Sequence, residues 1–216
     1  MNSKRTRQTV KLFNKYAHGY ATKYMSVEKY SDSLDLFCAS LPVSNANVLE
    51  LACGPGNITK YILNQNPDLT VLATDLSPVM LELAEENNPS ISTQIMDCRS
   101  ILSLQSKFDG VICGFGLPYI SKEDAVKLIN DASVSLNPGG ILYLSTMEGN
   151  YSDSGLQYSG PDPNDGLYMY FHEFAYLDEA MKQAGFDIID VSRVRYKDEK
   201  QEDVTDLILI GKKHTQ

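Results

Sequence analysis

Positive charge is scarce in this chain: 19 Lys and Arg stand against 28 Asp and Glu, giving a formal net charge of −9. That balance disfavours a nucleic-acid partner, because phosphate backbones are held mainly by Lys and Arg. The one basic cluster, Lys4, Arg5, Arg7 and Lys11, reads as a solvated helix face. Cysteine is sparse too. The four, at positions 38, 53, 98 and 113, form no C-x-x-C pair and no metal-ligand spacing, which argues against a metal site and predicts free thiols in a reducing cytoplasm. No apolar run approaches the length of a membrane span, and the first residues are too polar for a secretion signal. The expectation is a soluble cytoplasmic protein without a membrane partner. G-x-S-x-G and H-E-x-x-H are also missing, so neither a serine triad nor a zinc site is expected. With no internal repeat and no linker, the 216 residues fit one globular unit, in which residues 1–44 read as N-terminal helices and 45–216 as the main domain.

What is present centres on V-L-E-L-A-C-G-P-G-N-I-T, residues 48–59. Val48, Leu49 and Leu51 suit a buried parallel strand, and Gly54 and Gly56 permit a tight turn with close backbone approach. A helix starting near Gly56 would aim its unpaired amides and positive dipole end at a ligand over the glycines, which suits a carboxylate or phosphate. Read as G-x-G-x-x-G, the run would need glycine at position 59, where Thr59 stands. An NAD(P)-dependent oxidoreductase is therefore the weaker reading.

T-V-L-A-T-D forms a second strand ending at Asp75, an acid placed to accept both ribose hydroxyls of a nucleoside. Ser77 and Pro78 already supply the cap and first turn of the next helix, so Asp75 is not needed there. Met80 on that helix either touches an adenine ring or sits in the core. I-S-T-Q-I-M is a third strand, followed by Asp97 and Cys98. F-D-G-V-I-C-G is the fourth, with a functional turn from Gly114 to Tyr119, since loops at the carboxyl ends of strands beside the first border the ligand crevice. A helix capped by Ser121 and a P-G-G turn lead to the fifth strand. Residues 148–170 have no helical period, and P-D-P-N-D-G favours an inserted hairpin. Its Tyr151, Tyr158, Tyr168 and Tyr170, with His172, are candidate substrate contacts. A helix over 173–184 then precedes two strands joined by a charged turn, which should be antiparallel neighbours. Two amphipathic helices, 3–24 with an interruption at Gly19 and 27–41, precede the sheet.

E-L-A-C-G-P-G-N resembles motif I of the class I S-adenosylmethionine-dependent methyltransferases. Glu50 matches its acid, Ala52 replaces its first glycine, and Gly54 and Gly56 match the second and third, with Cys53 inside the turn. F-N-K-Y-A-H-G-Y is similar to the lead-in of the ubiquinone and menaquinone biosynthesis enzymes, where this segment is a lid and Tyr20 would take the aromatic lid position. Packing of Tyr20 on the core fits as well. The resemblance implies an α/β fold with a doubly wound seven-stranded sheet, order 3-2-1-4-5-7-6 with strand 7 antiparallel. Helices would cover both faces, with an N-terminal lid and a hairpin after strand 5. It implies S-adenosylmethionine as cofactor and S-adenosylhomocysteine as product. Glu50 would shape the region of the cofactor's ammonium, Asp75 with Leu76 would hold the ribose, and Asp97 and Cys98 would take the adenine edge. Gly114 would border the cofactor, with Phe115 and Tyr119 beside the reactive methyl. Alanine at position 52 implies a backbone that tolerates a methyl group.

The implied reaction is in-line methyl transfer to a small-molecule N, O or C nucleophile by a monomer or homodimer. G-L-P-Y lacks the polar residue and second proline of the enzymes that methylate DNA-base amines, so such substrates are disfavoured. A hydroxyl acceptor would need a base, for which His172, His18 and Tyr170 are the candidates. His172 equally reads as a capping or packing histidine, and His18 as solvent-facing. A non-catalytic member that binds the cofactor or a protein partner remains the alternative.

Overall fold

The computed structural model describes residues 4–158, 162, 164–198 and 201–215. In chain order the strands are β1 (Asn47–Leu51), β2 (Thr70–Asp75), β3 (Ser92–Ile95), β4 (Phe108–Gly114), β5 (Leu136–Met147), β6 (Gly155–Gln157), β7 (Leu167–Met169), β8 (Phe186–Lys197) and β9 (Asp203–Lys213). The helices are α1 (Lys4–Tyr24), α2 (Ser31–Ser40), α3 (Asn57–Gln65), α4 (Pro78–Asn87), α5 (Lys122–Ser135) and α6 (Phe174–Gln183). One seven-stranded sheet has the order β3-β2-β1-β4-β5-β9-β8, and β6 with β7 makes a separate hairpin. Strands β1 to β5 run parallel, while β9 is antiparallel to both β5 and β8. With the hairpin set aside this is the expected 3-2-1-4-5-7-6.

Alternation along the strands divides the core into two layers. Leu49, Val111, Leu142 and Leu209 meet Leu128 of α5 and Leu177 and Met181 of α6. Their neighbours Val48, Ile112, Tyr143 and Ile210 meet Leu34 and Phe37 of α2 and Ile62 of α3. Covered on both faces, β1 and β4 are buried at nearly every position, as parallel strands require. Helix α1 lies outside both layers, resting Ala17, Phe13 and Tyr20 on Met80 and Leu83 of α4.

Two local expectations change and a third is met. Helix α1 runs unbroken through Gly19, where an added Cβ would have nothing within 4 Å. The second helical segment is a short 3-10 turn over Glu28–Tyr30 followed by α2. The expected hairpin forms, but residues 159–160 before its P-D-P-N-D-G turn, and 161 and 163 within it, lie outside the described residues.

Gly56 caps α3 with φ 75°, and a Cβ there would lie 2.5 Å from Asn88 Nδ2 and 3.2 Å from the Ala84 Cα. Asn88 cannot simply move, because its amide donates to Gly56 O and Ala84 O. Left-handed strain and crowding together should make Gly56→Ala cost ~2–4 kcal/mol in chemical denaturation.

Candidate functional site

The carboxyl ends of β1, β2 and β4 open into one crevice. After β1 the chain turns through Ala52 (φ 50°) and Gly54 (φ 54°). Ala52 therefore occupies the left-handed region, where its methyl group is tolerated with strain of ~1 kcal/mol or more. Asp75 clamps this turn to the next. Its Oδ2 accepts from Gly54 N at 3.0 Å and its Oδ1 from Ser77 N at 2.8 Å. Burial pushes the Asp75 carboxyl above its ordinary range, and the amide bonds to Ser77 and Gly54 work against that rise. Ser77 caps α4 as expected, accepting from Met80 N, and its hydroxyl donates to Asn14 of α1 at 2.6 Å.

Beyond β3, Asp97 accepts from Arg99 through Nε at 2.8 Å and Nη2 at 2.6 Å. Arg99 continues to Asp124 at 3.1 Å and to Thr6 of α1 at 3.2 Å. Burial opposes the charge on Asp97, but the hydrogen bonds from Arg99 prevail and hold the carboxyl below its ordinary range. Arg99 did not emerge from the sequence reading, although a cation two residues after the acid was the available signal. At the end of β4, Phe115 (φ 54°) donates its amide to Ser145 Oγ at 3.1 Å. Across the crevice α1 brings Phe13 edge-on to Tyr20 (5.7 Å) and to Tyr119 (5.1 Å).

The larger cavity has about 770 Å³ of empty space, its open mouth included. Tyr20, Ala52, Gly54, Asp75, Leu76, Met80, Asp97, Cys98, Gly114, Phe115 and Tyr119 all line it, joined by Thr6, Thr9, Val10 and Phe13 of α1. A smaller one of about 350 Å³ shares Tyr20, Ala52, Gly54, Gly114 and Phe115, and adds Val27, Tyr30, Cys53 and Asn57. The larger cavity suits a nucleoside. A carboxylate has about four lone-pair positions; the amides of Gly54 and Ser77 take one on each Asp75 oxygen, and the Leu76 amide also favours the charged form. A Cβ on Gly54 would meet only Tyr20, at 3.9 Å, so the turn is open towards the crevice.

Other sequence candidates lie elsewhere. Glu50 is buried beneath the turn and lines neither cavity; its Oε2 accepts from Thr59 Oγ1, and burial pushes its carboxyl up to about 8 despite that bond. Gly56 serves the close packing of α3 on α4. His172 is fully buried: its Nε2 donates to Leu117 O at 2.9 Å, its Nδ1 is bonded to Tyr176 Oη, and burial lowers its pKa. It anchors the turn after β4 and has no ring nitrogen to spare. His18 is exposed on α1. Tyr170 stacks on Tyr151 and accepts from Arg5, and Tyr158 is half exposed. None of these four lines either cavity. Among the described residues no group of three or more His, Cys, Asp or Glu could hold a metal ion, and no helix is long and apolar enough to cross a membrane.

Comparison with known proteins places this crevice in a family. Residues 48–140 match the family described as "Methyltransferase domain". The ubiquinone biosynthesis O-methyltransferase of Xylella fastidiosa (strain 9a5c) is 27% identical over 177 residues, covering 76% of this chain and 70% of that one. The matched domain, this sheet order and the crevice together support a class I S-adenosylmethionine-dependent methyltransferase. Protein 235L of Invertebrate iridescent virus 6 is 28% identical to this methyltransferase over 138 residues, which span 63% of the chain but about half, 49%, of the viral protein. Among solved structures, the 1,6-didemethyltoxoflavin-N1-methyltransferase of Burkholderia thailandensis superposes with a TM-score of 0.69 at 21% identity. That match covers 96% of this methyltransferase and 88% of the other chain, which holds S-adenosylhomocysteine; at this identity the likeness is one of fold. The cofactor of the methyltransferase is S-adenosylmethionine, and the residues lining the larger cavity fit it.

Proposed function

We propose that this methyltransferase passes a methyl group in line to a small, flat acceptor with an N, O or C nucleophile. One observation carries the reading: a single cavity joins a nucleoside-type wall, Asp75 and Asp97, to an aromatic one formed by Phe13, Tyr20, Phe115 and Tyr119. S-adenosylmethionine, when bound, supplies the activated methyl group. The chain's part is to align and to exclude water, for which proximity can supply ~7–11 kcal/mol. Asp75 would hold the ribose hydroxyls, Asp97 the adenine amino group, and Met80 the side of the site where the adenine would lie. Phe115 and Tyr119, on the rigid turn that His172 anchors, confine the acceptor, while Tyr20 of α1 closes the crevice over the glycine turn.

The acceptor reaches this site with its lone pair available. The ring nitrogens of His172 are occupied, and burial raises the pKa of Cys53 and Tyr119. A neutral amine, a carboxylate or an acidic phenol meets that requirement. Incubation with methyl-labelled cofactor and a fractionated metabolite pool should label a small number of low-molecular-mass products. Label transferred only to protein or RNA would overturn the small-molecule reading, and no transfer to any fraction would favour a non-catalytic member.

A further inference from the structure

Helix α1 and the β6–β7 hairpin lie far apart in the chain, yet they are tied together beside the larger cavity. Lys15 Nζ and Tyr16 Oη both donate to Asp165 Oδ2 at 2.6 Å. One end of the same helix adds a second tie: Arg5 Nη1 donates to Tyr170 Oη at 2.8 Å, with its guanidinium carbon 3.9 Å from the centre of the Tyr168 ring. Thr9, Phe13 and Tyr20 of that helix line the cavity. Of its 21 residues only Leu12 and Ala17 are fully buried. Its apolar contact with α4 runs through Phe13, Ala17, Tyr20 and Ala21; a helix held on one face belongs to the less stable part of a fold, where local opening is cheap, and its polar ties, those of Asn14 to Ser77 and of Thr6 to Arg99 included, add to the opening free energy.

We propose that Asp165 is the keeper of a latch: by holding Lys15 and Tyr16 it fixes α1 over the cavity, and the nucleoside leaves only when this hold is released. The hairpin thus controls residence of the cofactor without touching it, and Asp165, Tyr16 and Arg5 are positioning residues. The Lys15–Asp165 pair is partly open to solvent, so the latch weakens with salt. The inference rests on the reading of the larger cavity as the nucleoside site.

Dissociation of S-adenosylhomocysteine from the whole chain, followed by surface plasmon resonance, tests it. Asp165→Ala should speed dissociation about five- to tenfold, the size expected from losing an exposed ion pair and a phenol hydrogen bond together, with the melting temperature nearly unchanged. Tyr16→Phe should fall between the two. Raising NaCl from ~0.05 to ~0.5 M should bring the wild-type rate towards that of the variant, whose remaining Lys15–Asp162 contact at 3.7 Å leaves it a smaller salt dependence. The exchanged pair Lys15→Asp with Asp165→Lys should recover part of the slow dissociation through the restored ion pair, the ammonium offering no acceptor to the Tyr16 hydroxyl; a merely structural role would predict no recovery. A dissociation rate for Asp165→Ala within twofold of wild type, or equal salt dependence in both proteins, would overturn the latch. If the wild type fails to bind S-adenosylhomocysteine at all, the reading of the cavity falls first and the latch with it.

Discussion

Asp75→Ala is expected to weaken binding of S-adenosylhomocysteine by at least ~100-fold in titration calorimetry. The side chain does two things at once. It holds the amides of Gly54 and Ser77, which shapes the crevice between β1 and β2, and in the proposed function it receives the ribose hydroxyls. Hydrogen bonds to a charged acceptor are worth ~1.5–3 kcal/mol each, so losing the two to the ribose alone gives a factor of ~10² or more. Asp75→Asn retains one carbonyl acceptor and should fall in between, at about tenfold. Both variants should still fold, because the core layers beneath the crevice do not include this side chain. An affinity unchanged in Asp75→Ala would remove the ribose role.

The second large effect concerns Glu50 and appears as a pH dependence of stability. Burial beneath the turn pushes the carboxyl from its ordinary 4.5 to about 8, with the Thr59 hydroxyl opposing part of that rise. The folded state thus keeps a proton that the unfolded chain releases near 4.5. Where the folded state binds more protons, stability falls as pH rises. The contribution is present in full below about 4.5 and is lost as pH passes through about 8. At ~1.4 kcal/mol per pH unit the interval bounds the loss at ~5 kcal/mol. Buried Asp75 shifts in the same direction. Urea denaturation of the protein without cofactor should therefore show more stability near pH 5 than near pH 9. Glu50→Gln keeps an oxygen for the Thr59 hydroxyl and has no proton to lose. It should match the wild type at the lower pH and exceed it by several kcal/mol at the higher one. A difference between the two proteins that stays constant with pH would contradict a buried, protonated Glu50.

The sheet order was legible because each strand and helix announces itself locally: apolar runs, Ser77 and Ser121 as caps, glycine turns, and a terminal strand pair joined by a short polar link. The crevice was legible for a related reason. Residues placed at strand ends, such as Asp75, Asp97 and Gly54, face it through backbone geometry alone. What escaped depends on side chains meeting across the fold. Arg99 reaches Thr6 and Asp124 from between them, and the tyrosines of the inserted hairpin turn towards Arg5 and towards one another instead of into the cavity. Thr59 was noticed only as a missing glycine, whereas its hydroxyl partners a buried carboxyl. The left-handed backbone at Ala52 was hidden by its side chain, since alanine ordinarily signals an unstrained position. His172 offered two readings, and the choice followed from burial and from a carbonyl 55 residues away in sequence.

A crystal structure of the protein with S-adenosylhomocysteine tests the central claim most directly. The ribose hydroxyls should lie within hydrogen-bonding distance of the Asp75 carboxylate, and the adenine between Met80 and the Asp97–Cys98 segment, with Tyr20 over the glycine turn. A ligand bound elsewhere, with Phe13 and Tyr20 filling the crevice above Gly54, would contradict it.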